Sequence, residues 1–170
     1  MGAREVLDWA TFGQAARELA QAVVDDGFRP DMIVSIARGG LFVAGTLAYD
    51  LSVKSCFVLN VEYYTGIGQR LEAPVVLPPR LDLEEAKGLN VLIADDVADT
   101  GHTLALVKRL CQAKVAQARV AVLYEKPASE VACEYVWRRT DRWVDFPWSS
   151  QPPLSQPAGG SRPLGAQLPA

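Results

Sequence analysis

Residues 90–104 read NVLIADDVADTGHTL. The opening residues are largely apolar, as in a strand buried on both faces. The run then meets two adjacent carboxylates, Asp95 and Asp96, where the strand is expected to end. A third carboxylate, Asp99, precedes a turn of small and polar residues: Thr100, Gly101, His102 and Thr103. Neighbouring like charges repel and lose hydration, so the pattern asks for a cationic or hydroxylated partner. A hard divalent ion such as Mg²⁺ takes oxygen ligands of this kind, often shared with substrate oxygens. A ribose diol suits the same pair of acceptors. The plain alternative is a solvated strand end. Gly101 permits a tight turn, and Thr100 and Thr103 add hydroxyls to the free N–H groups opening the next helix, a phosphate cradle. The competing reading is an ordinary N-cap by Asp99 or Thr100. The GxxxxGK[ST] loop is absent, so this is not a Walker A turn.

Working outward, strands alternate with helices. DWATFGQAARELAQAVVDDG has helical apolar spacing at Phe12, Ala16, Leu19, Ala20 and Val23 and ends at Gly27. MIVSIA is a short buried strand, RGG a turn, and LFVAGTLAYDL a second helix. SCFVLNVEYY is a strand. Residues 65–90 mix glycine, proline and charge and are read as a loop with a hairpin. TLALVKRLCQAK is a helix, ARVAVLYEK a strand, and EYVWRRTDRWVDFPW an aromatic segment that closes the folded part. This alternation implies βαβ units around a parallel sheet. Ligands in such sheets bind outside the carboxyl ends of the strands, so IARGG and ADDVADTGHT are expected to meet at one edge.

The chain has 170 residues, 49% of them hydrophobic, which suits one domain with a real core. Its net charge of −3 gives no electrostatic case for nucleic acid as a partner. Three cysteines, Cys56, Cys111 and Cys133, form no CxxC pair and fit a reducing, cytoplasmic setting. The opening MGAREVLDWA carries acids and no apolar stretch, so it is not read as a signal peptide. No stretch has the length of a membrane span. From Ser149, SSQPPLSQPAGGSRPLGAQLPA is rich in Pro, Gly and Ser, and residues 149–170 are read as a disordered tail behind a domain of residues 1–148.

VLIADDVADTGHT resembles the PRPP signature of type I phosphoribosyltransferases at every defined position: an apolar run, an acidic pair, two variable residues, an acid, Thr, Gly, any residue and Thr. The resemblance implies an α/β fold with a central, mostly parallel sheet flanked by helices and a small hood built from the C-terminal segment. It implies that Asp95 and Asp96 hold the ribose hydroxyls and Mg²⁺ of PRPP, and that Thr100, Gly101, His102 and Thr103 hold its 5′-phosphate. Ala37-Arg38-Gly39-Gly40 stands where the family binds pyrophosphate. Glycines there let the backbone approach a diphosphate, and Arg38 supplies charge-assisted bonds. The Ala37–Arg38 peptide is expected to be cis, as it often is in this family.

The closest resemblance is to bacterial and archaeal xanthine-guanine phosphoribosyltransferases. It implies that Lys126 donates to the exocyclic oxygen of a 6-oxopurine, that Trp143 of DRWVDFPW stacks on the base, and that the backbone near Val144 contacts its edge. Asp99 would exchange a proton at N7. Trp137 and Trp148 are read as packing residues. The mobile loop departs from the hypoxanthine-guanine pattern: Val61-Glu62-Tyr63-Tyr64 lacks the Ser of a Ser-Tyr pair, and Tyr63 and Tyr64 stand in its place. The implied activity is transfer of the phosphoribosyl group of PRPP to hypoxanthine, guanine or xanthine in purine salvage, by a homo-oligomer, dimer or tetramer. The alternatives are a non-enzymatic PRPP- or nucleotide-sensing regulator and a phosphoribosyltransferase for another base.

Overall fold

The computed structural model describes residues 4–62, 65–66, 69–70, 75–76 and 85–155. Its elements in chain order are β1 (Arg4–Val6), α1 (Trp9–Asp25), β2 (Met32–Ala37), α2 (Gly40–Asp50), β3 (Cys56–Glu62), β4 (Thr65–Gly66), β5 (Gln69–Arg70), β6 (Val75–Val76), β7 (Asn90–Ala98), α3 (His102–Gln112), β8 (Gln117–Glu125), β9 (Tyr135–Arg139) and β10 (Trp143–Asp145). The main sheet has the order β6-β3-β2-β7-β8-β9. All its pairings are parallel except β6 on β3.

Strict alternation inside apolar strands sorts the core onto two faces. Ile33, Leu92, Ala94, Ala121 and Leu123 pack with α1 and α2. Val34, Ile36, Val91, Ile93, Val120 and Val122 pack with Leu104, Val107 and Cys111 of α3. Each fully buried Leu or Ile contributes roughly 1.5–3 kcal/mol relative to an exposed one. Helix α1 starts where Asp8 accepts from the Thr11 N–H at 2.7 Å, and it ends before Gly27, whose φ of +71° reverses the chain.

Chain direction across the sheet places the site. From β2 the chain crosses by α2 to β3 on one side; β7 lies on the other side of β2 and crosses by α3 to β8. The crossovers diverge between β2 and β7, which opens a crevice at their carboxyl ends.

One expectation is corrected. Strand β7 does not end at the acidic pair but runs on to Ala98, because β8 continues to pair with it as far as Ala98↔Glu125. Strand β2 pairs only as far as Ser35↔Ala94, so the carboxylates sit where one neighbour has peeled away. The C-terminal segment supplies β10 of a small separate sheet, and the N-terminus completes it. Strand β9 joins the main sheet, and β10 pairs parallel with β1, so both ends of the chain are needed. Of the region read as loop and hairpin, Thr65–Gly66 and Gln69–Arg70 pair antiparallel. The two tryptophans read as packing residues do pack: Trp137 meets Tyr124 edge-on, and Trp148 stacks on Phe42 and Phe146.

Candidate active site

A cleft of about 810 Å³ opens at the carboxyl ends of β2 and β7. Arg38, Gly39, Asp95, Asp96, Asp99, Thr100, Gly101, His102 and Thr103 all line it. Two segments far apart in sequence therefore form one surface, because β2 and β7 are paired neighbours.

Consecutive strand residues ordinarily point to opposite faces, yet Asp95 and Asp96 both reach the cleft. The alternation slips here: Leu92 and Ala94 face α1 and α2, but so does Val97, while Ala98 joins the α3 side. Burial pushes both carboxyl pKa values up, Asp95 well above the ordinary range, and the charge of Asp96 adds to the effect on Asp95. Opposing this, the Asp96 N–H donates to Asp95 Oδ1 at 2.9 Å and the Gly40 N–H also donates to Asp95. A dry, electron-rich pair held by backbone donors is suited to a cation or to hydroxyl donors.

The loop between β2 and α2 is shaped around that pair. The Ala37–Arg38 peptide is cis, as expected. Arg38 is exposed at the cleft and makes no ion pair among the described residues. A Cβ on Gly39 would lie 1.8 Å from Asp96 Oδ2, and one on Gly40 would lie 2.5 Å from the Ala94 carbonyl oxygen. Both glycines are thus needed for close approach, although Gly39 itself has ordinary helical angles.

The turn after Ala98 is not an ordinary side-chain cap. The N-cap of α3 is Gly101, at φ +83°, with no side-chain cap hydrogen bond, so neither Asp99 nor Thr100 caps the helix. The positive end of the helix faces the cleft, where an anion is stabilised. Gly101 also has neighbours: a Cβ would come within 2.8 Å of Ser129 Oγ and 3.0 Å of the Glu130 and Val131 nitrogens. The loop after β8 is bonded to this turn, with the Lys126 N–H donating to Ala98 O and the Glu130 N–H to Thr100 O, each at 2.9 Å. His102 is exposed, with Nε2 3.2 Å from Glu130 Oε1.

That tie brings Lys126 to the site. Its Nζ lies 3.1 Å from Asp99 Oδ1 and 5.5 Å from the centroid of the Trp143 ring. Trp143 is 62% exposed, so a ring face is open to a ligand. The Val144 side chain is buried in the core. Tyr63 and Tyr64, the expected mobile-loop residues, lie outside the described residues. Sequence reasoning missed Arg4. Its Nε and Nη2 donate to the two Asp145 oxygens at 2.6 Å each, and its guanidinium lies 5.9 Å from the Trp143 ring. It comes from the opposite end of the chain, so no local motif could mark it. Cys111 and Cys133 take no part: burial pushes their thiols up to about 11 and about 12.

The acidic pair fits a magnesium ion. No group of three or more His, Cys, Asp or Glu able to hold a metal occurs among the described residues. Asp95 and Asp96 would therefore share the ion with substrate oxygens and water, which is how Mg²⁺ is usually bound.

Residues 2–155 match the phosphoribosyl transferase domain family. A xanthine-guanine phosphoribosyltransferase of Ruegeria sp. is 31% identical over 166 residues, covering 91% of this chain and 90% of the relative. One from Nitratidesulfovibrio vulgaris is 30% identical, covering 85% and 84%. The crystal structure of a purine phosphoribosyltransferase from Pyrococcus horikoshii superposes with a TM-score of 0.75 at 32% identity, covering 90% of this chain and 99% of that one. Domain match, relatives and fold agree with the cleft between β2 and β7: the chain belongs to the phosphoribosyltransferase family and is a transferase.

Proposed function

We propose that this enzyme transfers the 5-phosphoribosyl group of PRPP to a 6-oxopurine, giving the nucleoside 5′-monophosphate and pyrophosphate in purine salvage. One observation carries the choice of base. A 6-oxopurine presents O6 and N7 side by side on one edge. Lys126 Nζ and Asp99 Oδ1, 3.1 Å apart beside the open ring of Trp143, offer a donor and an acceptor at matching positions. The names of the xanthine-guanine relatives support the same class of base.

Each residue then has a task. Arg38 and the N–H groups around Gly39 and Gly40 bind the pyrophosphate and stabilise it as it leaves. The open N-terminus of α3, with Thr100 and Thr103, binds the 5′-phosphate, and His102 borders it. Asp95 and Asp96 take the ribose hydroxyls and hold Mg²⁺, which when bound neutralises charge on the departing diphosphate. As N9 bonds to the anomeric carbon, the bond from that carbon to the pyrophosphate oxygen breaks and its electron pair leaves with pyrophosphate. Asp99 accepts the N7 proton. Lys126 donates to O6, Trp143 covers the ring, and the Val144 backbone meets the far edge. Tyr63 and Tyr64 serve the mobile loop that excludes water.

Nucleotide formation from PRPP and Mg²⁺ with each base tests the reading. Hypoxanthine, guanine or xanthine should be consumed and adenine should not. Adenine or orotate as the best substrate overturns the assignment, and PRPP binding without turnover on any base points to a sensor. Asp96→Asn should weaken PRPP binding at least about tenfold by calorimetry, the loss expected for a hydrogen bond to a charged group, with the fold retained.

The domain closes at Trp148, and residues 149–155 are exposed. Truncation after Ser150 should leave melting temperature and turnover nearly unchanged; lost activity would show that the tail docks. The exposed apolar side chains of α2, Leu41, Phe42 and Tyr49, support a homo-oligomer, and the free cysteines support a reducing, cytoplasmic setting.

A further inference from the structure

Trp9, Trp137 and Trp148 each pack against an aromatic neighbour. Trp143 meets no aromatic ring among the described residues and is 62% exposed. Its ring contacts there are two cations: Lys126 Nζ lies 5.5 Å from the ring centroid and the Arg4 guanidinium 5.9 Å. Both are within reach of the electron-rich ring. An exposed indole without packing partners is free to turn about its side-chain bonds, and a base that stacks on it must first order it.

Strand pairing brings Arg4 to the ring. β1 runs parallel to β10 with Arg4 opposite Trp143, Glu5 opposite Val144 and Val6 opposite Asp145. Side chains alternate along a strand, so Trp143 and Asp145 share one face of β10 while Val144 is buried on the other. Arg4 starts opposite Trp143 and reaches forward to Asp145, where Nε and Nη2 donate to the two carboxylate oxygens at 2.6 Å each. The guanidinium is thereby carried past the indole, and the two-point bond fixes its plane. β1 does not depend on this pair for its place. Leu7, 1% exposed, is buried in the core, and its N–H donates to Asp145 O at 3.0 Å. An exposed ion pair adds little to stability, so the effect of this one falls on the ring beside it.

We infer that Arg4 is a positioning residue for Trp143: anchored by Asp145, its guanidinium holds the indole in place for the base, and Lys126 is left to the base edge. The role rests on the reading of Trp143 as the ring that stacks on the base. A ring ordered in advance loses less freedom when the base arrives.

Arg4→Gln removes the cation and its two-point bond. KM for hypoxanthine at saturating PRPP and Mg²⁺ should rise about two- to fivefold, the range of an exposed cation–ring contact, with kcat, PRPP affinity and melting temperature nearly unchanged. In a Trp143→Ala background, adding Arg4→Gln should raise KM no further, because the ring it acts through is gone. A second measurement reads the ring directly. The heteronuclear Overhauser effect of the Trp143 indole N–H, identified by its loss in Trp143→Phe, should fall in Arg4→Gln while those of Trp9, Trp137 and Trp148 hold. Asp145→Asn, which loosens the guanidinium, should reproduce both changes, and it decides the matter if Arg4→Gln does not fold. A folded Arg4→Gln with wild-type KM for hypoxanthine overturns the inference. So does one whose Trp143 indole stays as rigid as in the wild type, or a further rise in KM when Arg4→Gln is added to Trp143→Ala. Trp143→Ala that uses hypoxanthine as well as the wild type overturns the stacking reading itself, and the positioning role with it.

Discussion

Gly39→Ala should weaken PRPP binding by up to about 100-fold while the protein stays folded. The added methyl would lie 1.8 Å from Asp96 Oδ2 and 2.2 Å from its Cγ. Backbone strain is not the cause, since φ −60° and ψ −39° at Gly39 suit alanine. What yields is the end of the Asp96 side chain, which swings out of its seat and out of the site. A forced overlap of this kind costs about 3 kcal/mol at the upper end of the usual range, which corresponds to a factor on the order of 100 in affinity. Gly40→Ala offers the contrast. Its methyl would meet the Ala94 carbonyl at 2.5 Å and Asp95 Cα at 3.1 Å, both backbone atoms that cannot rotate away. That variant should lose melting temperature as well as binding. Calorimetry with PRPP beside thermal denaturation separates the two, and wild-type affinity in Gly39→Ala would refute the seat proposed for Asp96.

Lys126→Ala should lower kcat/KM for 6-oxopurines by about 10–100-fold, the loss of a charge-assisted hydrogen bond of about 1.5–3 kcal/mol. It should also narrow the gap between hypoxanthine and adenine. A buried donor rejects a base that places an amino group opposite it, because neither donor then finds an acceptor. The variant also strips Asp99 of its ion-pair partner at 3.1 Å. Trp143→Ala should cost about 1–3 kcal/mol of base binding, by analogy with base–aromatic stacking, without changing which base is preferred. Steady-state kinetics with both bases reads all of this. Unchanged preference in Lys126→Ala would remove Lys126 from the base site.

Much of the molecule was legible before any coordinates. Apolar runs such as MIVSIA and the helical spacing of Phe12, Ala16, Leu19 and Val23 report burial directly, because a strand or helix must bury its own apolar face wherever it lies. The turn DTGHT was legible for a similar reason: a left-handed Gly101 and small polar neighbours are local requirements of a tight turn into a helix. The length of β7 was not legible, since its last residues are strand only because β8 goes on pairing with them. Nor was the slip in alternation that turns both carboxylates to one cleft. Strand β1 carries three residues and gains its structure from β10 at the other end of the chain. Sequence by itself determined which elements form and which chemical groups stand at their ends, because propensity, periodicity and turn chemistry act over a few residues. Tertiary structure decided which of those groups meet. Arg4 with Trp143, Lys126 with Asp99, and Phe42 with Trp148 are brought together by strand pairing and ring packing between distant segments, and no local pattern encodes contacts of that range.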